Sequence, residues 1–281
     1  MKPMLACDWD ESRLRFPVIA QPKIDGVRAL GTAEGLVGRS LKPFKNQYSR
    51  TLYRHSEFAG LDGELMLGDS LTSPSLCRDT TAALNTVAGE PALKWVIFDR
   101  VQQGVPYIDR LRSIRHLAGV IESRTVEDLP SLLRLESEWL EQGYEGVILR
   151  DPRGGYKYGR STVKEGGLLR IKRFVEEDAV VLGVIEGRVN LNPAEINLLG
   201  RTERSTHAEN MVASGQIGAL SCRCLATGAH ITVGAGGLTV ADRILYFQHP
   251  EKILGVVVKY RHFPHGAKDL PRFPTFHSFR D

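Results

Sequence analysis

The chain has 281 residues, which fits one large domain or two of modest size. Its hydrophobic content of 42%, charged content of 25% and net charge of +4 are ordinary for a globular protein. No signal peptide or membrane-spanning run is visible, and four cysteines without disulfide or zinc spacing predict reduced thiols in the cytoplasm.

Strands are predicted for the first hundred residues, where short runs rich in Val, Ile, Leu and Phe alternate with Gly or Asp-Gly turns. These runs cover 16–23, 27–39, 58–67 and 94–101. Two helical patterns follow. One opens at Asp109, and the other covers 127–143, with an acidic first turn and Gly143 as its stop. Strands return at 145–151 and 167–174, so we predict an α+β fold rather than a doubly wound sheet.

The composition changes after Phe174, where short strand-like runs are joined by loops rich in Gly and Asn. About five strands in roughly a hundred residues fit a small β-barrel, and the oligonucleotide-binding (OB) fold is the leading candidate. We therefore predict two domains, 1–174 and 175–281.

Positive charge is concentrated in two parts of the chain. Between Ser12 and Arg54, nine lysines and arginines face only two acids, and the stretch 259–281 alternates cations with aromatic residues. Such patches suit a polyanion, and the aromatic side chains add stacking surface. A solvated face next to a core strand would give the same pattern, so charge alone does not identify a nucleic-acid-binding protein.

A nucleotide enzyme usually carries a glycine-rich phosphate cradle, and this chain has none. It contains no Gly-Lys dipeptide, which excludes a Walker-type loop, and no Gly-x-Gly-x-x-Gly fingerprint. If nucleotide is bound, cationic side chains must hold its phosphates. Lys23 becomes a candidate nucleophile if nearby cations or a metal lower its pKa from about 10.4. The candidate cations are Arg28, Arg170 and Lys172.

Three acids that each lie directly next to a glycine could hold a magnesium ion on the phosphates. They are Asp25, Glu64 and Glu145. Structural interpretations compete with this one, because Asp25-Gly26 and Asp62-Gly63 are typical hairpin turns, and Glu145-Gly146 could simply link a helix to a strand.

Two further features have ordinary interpretations when taken alone. Phe98 is more often a core residue than a platform for a base. His262 and His265 could hold a metal, but two histidines without further ligands are typical of a protein surface.

Seven motifs follow one another along the chain: KIDGVR, GRS, DGEL, WVIFD, EGVILRD, LLRIK and RFPTFHSFR. This series resembles the covalent nucleotidyltransferases, and most closely the ATP-dependent DNA ligases of the short, phage type. The resemblance extends from about Pro17 to the C-terminus, and the ending LPRFPTFHSFRD favours DNA ligases over capping enzymes and RNA ligases. It implies an adenylation (nucleotidyltransferase) domain of antiparallel sheets and helices over 1–174, followed by an OB-fold barrel over 175–281.

The resemblance also implies how ATP is held. Lys23 would attack the α-phosphate and carry AMP as a phosphoramidate, and Gln21 would read adenine. Phe98 would stack on the base. The other implied nucleotide contacts are Arg28 and Glu64 near the ribose, Arg170 and Lys172 on the phosphates, and Arg272 and Arg280 on the leaving pyrophosphate. Arg170 stands where relatives usually have lysine, so its charge is kept while its planar fork changes the geometry.

The remaining implied roles concern metal, catalysis and DNA. Glu145 and Glu64 would bind Mg²⁺, for which Mn²⁺ could substitute. The catalytic set would be Lys23, Asp25, Arg170 and Lys172, and the DNA contacts would be Arg28, Arg39 and Lys42.

The activity implied is the sealing of nicks with a 5′-phosphate and a 3′-hydroxyl in duplex DNA, by a monomer acting in replication, repair or recombination. The long polar segment 187–210 is predicted to be a loop near DNA or on an outer face. Two alternatives stay open. One is an RNA ligase or capping guanylyltransferase, and the other is a non-catalytic nucleic-acid-binding protein, for which the basic stretches alone suffice.

Overall fold

The computed structural model describes residues 2–263 and 270–280. The chain folds into two compact units, Met1–Lys172 and Arg173–Asp281. This division lies two residues before the domain boundary predicted from the sequence, between residues 174 and 175. The mixed α and β composition predicted from the sequence is confirmed.

The first unit contains short strands, most of them antiparallel, and four α-helices among its described residues. Its strands are β1 (Met4–Leu5), β2 (Cys7–Asp8), β3 (Val18–Lys23), β4 (Val27–Thr32), β5 (Gly35–Gly38), β6 (Leu61–Leu67), β7 (Leu93–Arg100), β8 (Arg124–Val126), β9 (Gly146–Arg150), β10 (Gly159–Arg160) and β11 (Leu169–Ile171). Its helices are α1 (Gln47–Leu52), α2 (Leu76–Asn85), α3 (Tyr107–Ile114) and α4 (Leu129–Glu141).

Two larger sheets organise this unit, with strand orders β2-β11-β9-β3-β8 and β5-β4-β6-β7. The consecutive strands β3 and β4 lie in different sheets, so the residues between them cross from one sheet to the other. The hairpin interpretation of Asp25-Gly26 is therefore wrong. It is also wrong for Asp62-Gly63, which lies inside β6. As a result, Lys23 at the end of β3 and Arg28 in β4 belong to different sheets.

Helix α4 shows how local sequence signals fix an element. Asp128 caps its first turn by accepting a hydrogen bond from the Ser131 amide at 2.7 Å. Leu132 and Trp139 are buried against the first sheet, and Gly143, with φ of 90°, follows the end of the helix. The helix predicted over 127–143 is thereby confirmed. Helices α1 and α2 were not predicted.

Among its described residues, the second unit contains a ring of five strands, a separate two-stranded pair and one α-helix. Its strands are β12 (Val175–Asn190), β13 (Ala194–Ile196), β14 (Thr202–Arg204), β15 (Met211–Cys224), β16 (His230–Gly234), β17 (Val257–Phe263) and β18 (Arg272–Phe279), and its helix is α5 (Val240–Gln248). The ring order is β12-β15-β16-β18-β17, and it closes through a single parallel pair, Gly234 opposite Thr275. Its interior is apolar, with Val181, Leu220 and Val233 almost fully buried. This arrangement fits the predicted OB fold.

Segment 187–210 is not the irregular loop predicted from its composition. Strand β12 continues to Asn190, and β13 and β14 form an antiparallel pair within the segment. The buried Asn192 side chain donates hydrogen bonds to the carbonyls of Ser205 and His207, each at 2.9 Å. These bonds connect the chain just before β13 to the chain just after β14.

The expectation that His262 lies on the surface is also wrong. Its side chain is 7% exposed, it stacks on Tyr260 at 5.3 Å between ring centroids, and its Nε2 lies 3.4 Å from Glu177. His265 lies outside the described residues.

No helix within the described ranges is long and apolar enough to cross a membrane, and the four cysteines are free thiols.

Candidate active site

Three neighbouring strand ends bring Lys23, Glu145 and Lys172 together. Strand β9 lies between β3 and β11, with Lys23 opposite Gly146 and Ile171 opposite Val147. Glu145 immediately precedes β9, and its amide donates to the Lys23 carbonyl at 3.0 Å. This register places the Glu145 carboxylate between the two lysines, and it forms an ion pair with each.

The charge of Glu145 is set by this position. Burial acts to raise its pKa, but Lys23 and Lys172 outweigh burial and hold the pKa of Glu145 below its ordinary value. The side chains of the three residues are largely buried, with 22% of Lys23 exposed. Glu145 is therefore a carboxylate that holds two ammonium groups at one corner of the site.

Glycine is required at two positions around this corner. Gly146 has a φ of 153°, and a Cβ there would overlap the Ile171 carbonyl oxygen. A Cβ at Gly26 would lie 2.5 Å from the Leu65 carbonyl oxygen and 2.7 Å from Glu64 Cγ. Gly26 thus lets the crossing chain pass close to β6.

The second sheet contributes Arg28 and Glu64, which face each other in the β4–β6 register. Arg28 binds the buried carboxylate of Asp62 through two hydrogen bonds of 2.6 Å and donates to the Met4 carbonyl at 3.0 Å. Tyr156 donates to the same carboxylate at 2.7 Å. Burial opposes the charge of Arg28, but Asp62 outweighs it and raises the pKa of Arg28. The guanidinium is therefore fixed and charged.

Glu64 is a carboxyl group with an altered proton affinity. Burial raises its pKa from the ordinary value of 4.5 to about 7, although Lys23 and Arg28 act in the opposite direction. At neutral pH the group is close to its midpoint of titration. A nearby cation would favour its ionised form.

A cavity of about 220 Å³ lies between these residues. Its lining includes seven residues of the predicted site: Gln21, Lys23, Arg28, Arg39, Glu64, Phe98 and Arg170. Apolar side chains such as Ile121 and Leu168 complete the wall, together with Arg150 and Arg160, which were not predicted. A pocket that combines apolar walls with convergent cations suits a nucleotide base and its phosphates.

Other predicted residues lie outside this lining. Asp25 is half-buried in the crossing segment, and Lys42 is exposed beyond β5. Lys42 and Arg39 belong to a tight turn in which Leu41 adopts a φ of 64°. This turn directs Arg39 toward the cavity.

Arg170 is placed by the N-terminal segment. Strand β2 pairs in parallel with β11, and Asp8 accepts a hydrogen bond from Arg170 Nε at 2.6 Å. The hydrogen bond that Arg170 donates to Asp8 raises the pKa of Arg170. Residues before Pro17 therefore take part in the site, although the motif series begins after them.

Phe98 lies at the cavity wall beside two arginines. The Arg28 guanidinium carbon lies 4.8 Å from the ring centroid, and that of Arg150 lies 5.6 Å away. Arg150 is held by Asp99, which also binds the buried Arg110. This buried cluster fixes the strand end from which Phe98 projects.

Arg272 and Arg280 belong to the second unit. Arg280 binds Asp178 through hydrogen bonds of 2.9 Å from Nε and 2.8 Å from Nη2. Arg272 is the first residue of β18, and its guanidinium lies 5.3 Å from the Phe273 ring centroid. Their contact with pyrophosphate stays a prediction.

Glu64 and Glu145 are suited to Mg²⁺. This ion prefers oxygen donors and usually needs only one or two protein carboxylates, because water and substrate phosphates complete its shell. Within the residues that the structure describes, no three His, Cys, Asp or Glu side chains are grouped for a metal. The two acids therefore fit an ion that comes with a nucleotide, rather than one held by protein ligands alone.

Comparison with known sequences identifies relatives of part of the chain. Residues 210–280 match the family model of the DNA ligase OB-like domain. A segment of 96 residues, 33% of this chain, is 33% identical to the DNA ligase of Enterobacteria phage T3 and covers 27% of that protein. A segment of 68 residues, 24% of this chain, is 25% identical to the DNA ligase of African swine fever virus (strain Badajoz 1971 Vero-adapted) and covers 16% of it. The matched segments thus span well under half of these curated relatives.

Solved structures match the whole chain. The structure of Chlorella virus DNA ligase–adenylate is similar over 100% of this chain and 99% of its own, with 28% identity and a TM-score of 0.54. A Lig E DNA ligase structure covers 100% of this chain and 99% of its own, with 18% identity and a TM-score of 0.75, and shares its fold. The predicted fold class is confirmed. Residues 210–280 of the second unit match the DNA ligase OB-like domain, and the chain as a whole is similar to a viral DNA ligase, as the seven motifs predicted.

Proposed function

We propose that the protein is an ATP-dependent DNA ligase that seals nicks through a lysyl-AMP intermediate on Lys23. The observation that carries this proposal is the convergence of three strand ends. It places Lys23 Nζ at a cavity lined with cations and an aromatic ring, and pairs it with Glu145. A lysine that served only solubility would not need a buried carboxylate and a second lysine beside it.

In the first step, Lys23 Nζ attacks the α-phosphorus of ATP. A P–N bond forms, and the P–O bond to the leaving pyrophosphate breaks. An ammonium has no lone pair, so Nζ must first transfer a proton to solvent, which weakens its ion pair with Glu145. Gln21 and Phe98 would bind the base, and Arg170 and Lys172 would hold the phosphates in line for the attack.

Two further transfers complete the reaction. The 5′-phosphate of the nick attacks the AMP phosphorus and releases Lys23, which gives an adenylated DNA end. The 3′-hydroxyl then attacks the 5′-phosphorus and releases AMP. Mg²⁺ on Glu64 and Glu145 would supply positive charge at the phosphates. The side chains contribute mainly alignment and charge neutralisation.

The substrate and setting are also part of the proposal. Nicked duplex DNA would be bound mainly through its backbone, with Arg28, Arg39 and Lys42 near the nick. We propose that the protein acts as a cytoplasmic monomer, and that Mn²⁺ can replace Mg²⁺. Arg272 and Arg280 would contact pyrophosphate.

A sealing assay with two substrates tests the role of Lys23. Lys23→Ala should not seal a nick with a 5′-phosphate in the presence of ATP, because no AMP can be carried. The same variant should still seal a nick whose 5′ end is already adenylated, since that step does not use the lysine. Lys94→Ala, at an exposed lysine paired with Asp69, is the matched control and should seal both. Sealing of the 5′-phosphate nick by Lys23→Ala would refute the proposal.

A further inference from the structure

The amide group of Gln21 is held in one orientation. Gln21 is 2% exposed and lies in the cavity wall. Its Nε2 donates to the Tyr107 hydroxyl at 2.8 Å and to the Ser123 hydroxyl at 3.0 Å. An amide nitrogen has two hydrogens, so both are used by these two bonds.

Two backbone carbonyls explain why the Tyr107 and Ser123 hydroxyls accept hydrogen bonds from Gln21 rather than donate to it. Tyr107 donates its own proton to the Phe98 carbonyl at 2.9 Å, and Ser123 donates to the Ile121 carbonyl at 3.3 Å. A carbonyl oxygen can only accept, so each hydroxyl proton is committed to it. Burial raises the pKa of Tyr107, and the phenol therefore keeps this proton at neutral pH.

The amide oxygen is consequently the part of Gln21 that remains for a ligand. If the amide were reversed, Oε1 would face two hydroxyl oxygens whose protons point elsewhere, an arrangement without a hydrogen bond. Among the described residues, no donor is hydrogen-bonded to Oε1. An acceptor at the cavity wall that no protein donor satisfies favours a ligand that brings a donor.

We propose that Tyr107 and Ser123 are positioning residues that make Gln21 select purines with a 6-amino group over purines with a 6-oxo group. This inference rests on the proposed function, in which the cavity binds the base of a nucleoside triphosphate. The amino group of adenine donates to Gln21 Oε1. The oxo group of guanine or hypoxanthine would bring a second acceptor to the same point, which costs free energy in a buried site.

The test compares adduct formation from ATP and from inosine triphosphate. Inosine triphosphate carries a 6-oxo group and lacks the 2-amino group of guanine, so it differs from ATP mainly at the edge that Gln21 would read. Rates of covalent nucleotide attachment are measured at several concentrations, which separates the apparent KM from the maximal rate. The wild type should prefer ATP.

Two variants remove the acceptors. In Tyr107→Phe and Ser123→Ala, the amide of Gln21 can rotate, so the preference for ATP should fall by about tenfold or more, mainly through the apparent KM. Ser123→Thr keeps the hydroxyl and should keep the preference. Tyr158→Phe, at an exposed tyrosine away from Gln21, is the control and should behave as the wild type. A general folding defect would slow both nucleotides together and leave the ratio unchanged.

The outcomes separate this inference from the proposed function. If the wild type forms an adduct with ATP but neither Tyr107→Phe nor Ser123→Ala changes the ratio, the positioning role is wrong and the ligase proposal stands. If the wild type forms no adduct with either nucleotide, the proposed function fails and this inference fails with it.

Discussion

Glu145 holds the two lysines of the site at one point. Its carboxylate pairs with Lys23 and Lys172, so the three side chains carry one net positive charge where a polyphosphate would bind. The motifs predicted all three residues. They did not predict the roles of Asp62, Tyr156 and Asp8. These residues bind Arg28, its partner carboxylate or Arg170, and they are distant from them in the sequence. Contacts between residues far apart in the chain cannot be predicted from local sequence patterns.

Glu64→Gln should change the pH dependence of stability. Burial raises the pKa of Glu64 from 4.5 to about 7, so the folded protein binds this proton more tightly than the unfolded chain. The stabilisation from the proton is complete below pH 4.5 and is lost as the pH rises to about 7. In urea denaturation without nucleotide or metal, the free energy of unfolding should therefore decline more steeply across this range in the wild type than in the variant. Parallel profiles for the two proteins would show that the pKa of Glu64 is not raised.

At the scale of elements, the register of β3, β9 and β11 builds the catalytic corner. Gly146 is the residue that permits β9 to approach β11, because a side chain at this position would overlap the Ile171 carbonyl. Any displacement of β9 would therefore move Glu145 relative to both lysines.

Gly146→Ala should destabilise the protein by about 2–5 kcal/mol, from a strained φ together with the overlap. Gly155→Ala is the control, since its Cβ would meet open space, and it should change stability by no more than roughly 0.5 kcal/mol. Urea denaturation of both variants measures these differences. Equal stabilities for the two variants would mean that the close approach of β9 and β11 does not constrain the site.

Many of the strands and helix α4 could be predicted from the sequence. Short runs rich in Val, Ile, Leu and Phe predicted the strands that carry Lys23, Glu64 and Phe98, and an acidic first turn with a glycine stop predicted α4. The pairing of strands could not be predicted, because Asp-Gly is a local turn signal and does not indicate that β3 and β4 belong to different sheets. The β13–β14 pair was missed because each strand has only three residues, all exposed, which is too short for a periodic pattern.

At the scale of the whole molecule, the two units have separate apolar cores and separate tasks in the proposal. The basic stretch between Ser12 and Arg54 contributes Arg28 and Arg39 to the cavity lining, so its charge is used at least in part by the site. Composition alone could not distinguish this use from a solvated surface.

Binding of a nicked duplex should weaken with salt. If phosphate contacts dominate, the logarithm of the association constant falls linearly with the logarithm of the salt concentration. Arg39→Ala should make this slope shallower by about one, whereas Lys94→Ala should leave it unchanged. Fluorescence anisotropy with a labelled nicked duplex measures both slopes. An unchanged slope in Arg39→Ala would remove Arg39 from the DNA contacts.

Mass spectrometry of the protein after incubation with ATP and magnesium tests the covalent role of Lys23 most directly. One AMP should be attached, and peptide mapping should place it on Lys23. The adduct should be absent from Lys23→Ala. An adduct mapped to another residue, or a folded wild-type protein that forms none, would contradict the assignment of Lys23 as the nucleophile.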